Sequence, residues 1–283
     1  MRQDVRAAAF RASVDQRLRN HARAVGVPVM VVRRQAALER LMARLTIAAP
    51  DRWALKGGLA LDTRLGERAR ASMDMDIDHV HGMPAAREDL LRAVAADLGD
   101  YFTFALGEGR EIKDDGISLA IRYRVECAVA NAPFEVLQVD VTVGPPEVWE
   151  TVRARRPGLL AAVGLGPIDV LLVPIERQVA EKLHAYTRTY HGGEPSTRAK
   201  DLVDLVLIGA FETLDGERLR ADIQRTFAAR RTHEPPTWLP PPPAEWRTAY
   251  REMAETVGIT TDPEEAHRMV AAWLDPVLTG MQE

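Results

Sequence analysis

The sequence predicts a mixed α/β (α+β) chain in which a small, mostly antiparallel sheet comes first and a helical part follows. Three observations predict it. Short apolar or alternating segments bounded by glycine, proline and aspartate crowd the stretch from 52 to 143. From residue 174 onward, apolar residues recur at helical spacing. The pattern changes between these regions, near 165–174. That change divides the chain into an α/β core with N-terminal helices over 1–165 and a helical domain over 166–283.

The elements follow in order. Apolar spacing in VVRRQAALERLMARLTIA (31–48) suits an amphipathic helix, and RWALK (52–56) is a short strand running into Gly57-Gly58. A short helix, LALDTRLG, comes next. SMDMDIDHV (72–80) alternates polar and apolar residues, the mark of a strand with two unlike faces. MPAAREDLLRAVAADLG (83–99) has helical periodicity with Gly99 as its stop. Strands follow at YFTFAL, ISLAIRYRVECAV and FEVLQVDVTVG. Beyond 174, PIERQVAEKLHAYTRTY, TRAKDLVDLVLIGAF and ERLRADIQRTFAARR are helices bounded by Gly, Pro or Asp. HEPPTWLPPPPAEW (233–246) is an extended, stiff linker, because consecutive prolines lock φ and cannot continue a helix. A final pair of helices closes the chain.

Composition narrows the function classes. With 283 residues and 46% hydrophobic content the chain buries one large core or two modest ones. One cysteine, Cys127, forms no internal disulfide and reads as a small core hydrophobe, which fits a reducing cytoplasm. Arginines break up the N-terminus, leaving no signal-peptide core. The longest apolar runs, such as VLLVPI (170–175), fall short of the roughly 20 residues that span a bilayer. A net charge of −4 argues against a uniformly basic nucleic-acid coat. Only Lys56, Lys113, Lys182 and Lys200 are lysines. Codon preference explains why lysine is scarce but not where it survives, and a compact point charge is needed where a phosphate must be met.

The chemistry concentrates in the aspartates. On a strand, Ser72, Asp74, Asp76 and Asp78 share one face at about 7 Å spacing. Such a row repels itself, and Asp is a poor strand former, so a cation is expected there. Mg²⁺ (or Mn²⁺) held by Asp74 and Asp76 answers that need; a solvent-facing acidic strand is the plain alternative. Asp140 sits between valines in QVDVTVG and requires a partner, a metal or an arginine. Gly57 and Gly58 lie between a strand and a helix start, where a backbone can approach a phosphate or simply turn. Lys182 falls on the apolar stripe of its helix with Ile175, Val179, Leu183 and Tyr186, so it either snorkels outward or meets carboxylates or a triphosphate. Arg198, Asp201 and Asp204 share a face of an otherwise apolar helix, which demands countercharges from Lys182, Arg198 or Lys200.

The order of KGG (56–58), RASMDMD (70–76), VDV (139–141), AEKLHA (180–185) and RAKDLVDL (198–205) resembles the AbiEii/AbiGii toxin family, including the MenT-type toxins. The resemblance covers roughly residues 30–210. It implies a DNA polymerase β-like nucleotidyltransferase core, with Gly57-Gly58 opening the signature and Asp74, Asp76 and Asp140 as metal ligands. It further implies Ser72 near the nucleotide, Lys182 on the triphosphate, and Asp204 or Asp201, with Arg198, completing the last motif. Gly-Gly stands where many relatives of the wider superfamily have Gly-Ser, and Asp78 is extra.

What the resemblance implies functionally is transfer of a nucleoside monophosphate from a nucleoside triphosphate to RNA, with the tRNA 3′ end as acceptor. The protein would be the toxin of a toxin–antitoxin pair with a cognate antitoxin; neither membrane nor DNA is indicated as a partner. Two metals held by Asp74, Asp76 and Asp140 would support the in-line displacement, with Asp140 orienting the acceptor hydroxyl. A phosphate on Ser72 would repel both carboxylates and nucleotide. Arginines at 153, 155, 156, 218, 220, 225, 230 and 231 offer an RNA groove or ordinary solvated faces. Protein or small-molecule nucleotidylation, a metal-dependent nuclease, and a binding module without chemistry are the competing classes.

Overall fold

A computed structural model describes residues 2–114, 117–143, 150–189 and 198–281. It divides into two compact units, one of Met1–Arg64 with Ala71–Val173, the other of Leu65–Arg70 with Pro174–Glu283. The second unit takes a six-residue excursion out of the first part of the chain as well as everything after Val173.

The first unit starts with two helices, α1 (Arg2–Val25) and α2 (Val29–Ala48). The run Ala36 to Leu45 of α2 is buried throughout, so this stretch of the helix is interior on every side. Its two buried arginines are compensated by one acid: Arg44 reaches Asp100 at 2.7 and 3.0 Å and Arg40 reaches it at 2.8 Å. Burial alone would raise the Asp100 pKa, but the two guanidinium groups hold it below the usual carboxylate range.

Seven strands form one sheet: β1 (Trp53–Lys56), β2 (Met75–His79), β3 (Phe102–Asp114), β4 (Ile117–Val129), β5 (Ala132–Val143), β6 (Val152–Arg156) and β7 (Ile168–Leu172), in spatial order 3-4-5-2-1-7-6. The helices α3 (Gly57–Leu65) and α4 (Met83–Ala95) and a short 3-10 turn at Ala161–Val163 also belong to this unit. The β5–β2 and β1–β7 pairs are parallel and the other pairs antiparallel. The mostly antiparallel, mixed α/β expectation therefore holds.

Strands β6 and β7 were not among the expected ones. β7 lies between β1 and β6, and its five residues, with Asp169 exposed among apolar neighbours, alternate over too short a span to mark a strand. VRARR looks like a basic patch by composition. The β4–β5 hairpin turns at Ala130 and Asn131, both at positive φ (50° and 60°), as a two-residue turn requires when its twist matches the strands. Val125, Leu137, Val139, Val141, Met75 and Ile77 are among the core residues that the sheet contributes. Cys127 is buried, and burial pushes its thiol up to about 12, consistent with a core hydrophobe.

The second unit holds α5 (Ile175–Thr187), α6 (Ala199–Phe211), α7 (Gly216–Arg230), α8 (Arg247–Val257) and α9 (Pro263–Thr279). Asp215 caps α7 and Asp262 caps α9 through their side chains. The proline-rich stretch leads to α8 as expected, and it is also fastened along its length. The Leu239 N–H donates to Asp275 and its carbonyl accepts from His267, both at 2.8 Å, and the Tyr186 hydroxyl donates to the Pro240 carbonyl at 2.8 Å.

A directional hydrogen-bond chain ties α5 to the end of α7. Arg230 can only donate, so it reaches His184 Nδ1 as an acceptor (3.3 Å) and leaves the proton on Nε2 for the Thr232 hydroxyl (2.8 Å). Thr232 then donates to His233 Nδ1 (3.0 Å), and His233 Nε2 donates to Thr187 Oγ1 (2.8 Å). Thr187 passes its own proton to the Leu183 carbonyl (2.9 Å). Each link requires both imidazoles to be neutral. Among the described residues no helix is long and apolar enough to cross a membrane.

Candidate active site

Strand β1 runs directly into α3 at Gly57, whose φ of +60° is one that a side chain rarely tolerates. A Cβ at this position would also strike the Asp76 carboxylate, approaching its Cγ to 3.2 Å. Both facts demand glycine: the turn is tight because the aspartate of the neighbouring strand stands against it. Gly58 follows, buried in the first turn of α3.

The expected row Ser72, Asp74, Asp76, Asp78 is corrected. β2 begins only at Met75, so period-two alternation governs Asp76 and Asp78, whereas Ser72 and Asp74 belong to the preceding irregular segment. The segment is shaped by a local bond instead: the buried Ser72 donates its hydroxyl to the Asp74 carbonyl at 3.0 Å. Asp78, the extra acid, is fully buried, paired with Lys56 at 3.0 Å and hydrogen-bonded by Thr142.

Register brings four charges into one line across the sheet. Lys56 stands opposite Asp76, Asp76 opposite Asp140, and Asp140 opposite Arg122. Adjacent strands lie about 4.8 Å apart, so the two central carboxylates are neighbours despite 64 residues of separation. Arg122 forks onto Asp140, with Nε to Oδ1 at 2.8 Å and Nη2 to Oδ2 at 2.7 Å. Its pKa is raised, first by that bond and further by the charges of Asp74 and Asp76. Sequence reasoning named Lys56 only as part of a motif and missed Arg122. The signal for Arg122 was the turn at Asn131, since counting back along the two strands of a hairpin places 122 against 140, allowing one bulge.

Magnesium or manganese takes hard oxygen donors, one or two from protein carboxylates and the rest from phosphates and water. Asp74 and Asp76, two residues apart, with Asp140 in register beside Asp76, are donors of that kind, and the missing side chain at Gly57 is what lets the Asp76 carboxylate stand against the turn. The donor set therefore fits. Among the described residues no three His, Cys, Asp or Glu side chains converge into a ready cage. A site that completes its shell from substrate phosphates does not need one.

The second unit contains the other predicted residues. Lys182 on α5, only 6% exposed, reaches Asp204 at 2.5 Å and Asp201 at 3.3 Å. Arg198 pairs with Asp201 at 2.7 Å, and Arg70 forks onto Asp204 with two bonds of 2.9 Å. The result is an alternating line, Arg70, Asp204, Lys182, Asp201, Arg198. Burial would strip the Lys182 proton, but Asp204 and Asp201 outweigh it and raise the pKa; burial likewise opposes ionisation of Asp201, which Lys182 and Arg198 nevertheless hold low. Arg70 was quoted in a motif without a role, and no local periodicity assigns it one.

The proposed arginine groove is only partly supplied. Arg156 is buried against Asp62 at 2.6 Å, which removes it from any surface. Arg153 is exposed in a pair with Asp51, Arg155 is exposed on β6, and Arg225 and Arg231 are exposed at α7. Arg218 lies near Glu176 and Arg230 enters the histidine chain.

Comparison with known proteins follows the geometry. The family model described as the nucleotidyl transferase AbiEii toxin of type IV toxin–antitoxin systems matches residues 40–273, well past the 210 at which the visible motifs end. Among solved structures, MenT4, a nucleotidyltransferase toxin from Mycobacterium tuberculosis H37Rv, is similar over 96% of this chain and 98% of its own, with a TM-score of 0.55 and 20% identity. At that identity the likeness concerns the fold. No curated protein matches the chain.

Proposed function

Because the chain belongs to the AbiEii nucleotidyltransferase toxin family of type IV toxin–antitoxin systems, we propose that it transfers a nucleoside monophosphate from a nucleoside triphosphate to RNA, the tRNA 3′ end being the acceptor. The observation that carries this reading is the register of Asp76 with Asp140 beside the Gly57 turn. Asp74 and Asp76 would hold Mg²⁺ or Mn²⁺, which when bound supplies charge neutralisation for the triphosphate and the departing pyrophosphate.

The chain's own residues do the positioning. Gly57 and Gly58 let the first turn of α3 present backbone N–H groups to phosphate oxygens. Asp140 orients the acceptor hydroxyl, and receives its proton, once its carboxylate is released from Arg122. Lys182 has three N–H donors and uses two on Asp204 and Asp201, so the third is the one we assign to a phosphate oxygen. Asp201 and Asp204 then act through Lys182, with Arg198 and Arg70 holding them. Ser72 orders the backbone that carries Asp74. As a member of a two-component system the toxin would be counteracted by a cognate antitoxin, and a tRNA acceptor would put its work in the cytoplasm.

The test is to incubate the protein with total tRNA, Mg²⁺ and each labelled nucleoside triphosphate in turn, beside Asp76→Ala. Lengthened, labelled RNA that disappears in the variant supports the reading and names the nucleotide. Shortened RNA without nucleotide would replace it with a nuclease, and label on protein or small molecules alone would change the acceptor.

A further inference from the structure

The third carboxylate of the site has a cation of its own. Arg122 meets Asp140 through two parallel N–H bonds, the arrangement that best matches guanidinium to carboxylate. The pair is asymmetric in its surroundings. The Asp140 side chain is 14% exposed, while that of Arg122 is 44% exposed. The Gln138 side-chain oxygen also accepts from the guanidinium at 3.2 Å, so the arginine is held by two neighbours of its own sheet while its outer side faces water. A carboxylate bound in this way is a poor ligand for a dication, because ion and guanidinium repel each other across a few ångströms. The charges of Asp74 and Asp76 add to the raised pKa of Arg122.

We infer that Arg122 is a positioning residue that reserves Asp140: the site loads its first divalent cation on Asp74 and Asp76, and Asp140 joins the chemistry only when the arginine fork turns away. The inference rests on the reading of Asp74 and Asp76 as metal-holding residues and adds an order of events to it. Fork and metal compete for one carboxylate, so Arg122 opposes cation binding at Asp140 in the resting protein.

The experiment is Mn²⁺ binding to the full chain without nucleotide or RNA, followed by electron paramagnetic resonance of the free ion, for wild type, Arg122→Gln, Asp140→Asn and the double variant. Each variant is checked for a cooperative thermal transition. Arg122→Gln is expected to bind Mn²⁺ about tenfold more tightly, since a charge-assisted two-point bond no longer competes. Asp140→Asn should stay within about twofold of wild type, and the double variant should lose the gain, as a coupled pair requires. Arg122→Lys, which keeps the charge without the fork, should fall between wild type and Arg122→Gln.

Unchanged or weaker binding in Arg122→Gln, or an Asp140→Asn loss as large as that of Asp76→Ala, would overturn the inference. Wild-type protein that binds no Mn²⁺ would overturn the metal reading itself, and this is seen before any variant is compared. RNA plays no part in the assay, so a different acceptor would leave its outcome unaffected.

Discussion

Arg70 grips both carboxylate oxygens of Asp204 at 2.9 Å, and Lys182 takes one of the same oxygens. One buried acid thereby joins α6, α5 and the six-residue excursion Leu65–Arg70. The motif lysine and the motif acids form a single electrostatic unit.

That unit predicts unequal costs. Asp204→Ala takes the two-point bond from Arg70 and leaves Lys182 with Asp201, and breaking a buried pair from one side costs about 3–5 kcal/mol. Urea unfolding should show that loss. Arg198→Ala should cost under about 1 kcal/mol, because its side chain is 40% exposed and screened. The pH dependence follows from Asp201, whose folded pKa is depressed. Its contribution is present above the unfolded carboxylate value and is lost as pH falls through the folded one. The stability gap between wild type and Asp201→Asn should therefore hold steady from pH 5 to 8 and shrink below about pH 4.

Gly57→Ala should separate activity from stability. A left-handed backbone costs a side chain about 1–2 kcal/mol, and the new methyl must displace the Asp76 carboxylate. Misplacing a reacting group by about 1 Å can cost 100-fold in rate, so nucleotide transfer should fall about that far while the protein still melts cooperatively. Wild-type transfer in this variant would remove Asp76 from the site.

Arg44→Met should do the reverse. Arg44 is fully buried and contributes two of the bonds to Asp100, so its loss leaves that acid with Arg40 and the Phe102 N–H. About 3 kcal/mol of destabilisation is expected from chemical denaturation. Transfer per folded molecule should be unaffected, since this pair lies in the core of the first unit.

The histidine chain predicts acid sensitivity. Burial, with Arg230 and His233 nearby, pushes His184 down to about 3, so the unfolded state takes up a proton that the folded state refuses. Stability from this source is complete above about pH 6.5 and declines as pH falls from there toward 3. Melting temperatures measured from pH 7.5 to 4.5 should fall less steeply in His184→Phe than in wild type, although the variant starts lower for want of its hydrogen bonds.

Much of this was legible because periodicity survives in the sequence. α2 and α5 to α7 announce themselves by apolar spacing, and the prolines around Trp238 forbid a helix. Strand β7 is only five residues long, with Asp169 exposed among apolar neighbours, and a basic composition disguises β6. At the site, Asp76 and Asp140 could be named separately, but their alignment depends on a parallel pairing of strands 64 residues apart, which no local pattern encodes. Arg70 was invisible for the same reason, an ordinary arginine until tertiary contact places an acid against it, whereas Arg122 could be found only by counting the hairpin register.

The most direct test of the central claim is pyrophosphate release from the preferred nucleoside triphosphate in the presence of tRNA and Mg²⁺, with wild type and Asp76→Ala compared at matched thermal stability. The account predicts tRNA-dependent release by wild type, abolished by chelation of the metal and by the substitution. Release that continues at the wild-type rate in Asp76→Ala would contradict it.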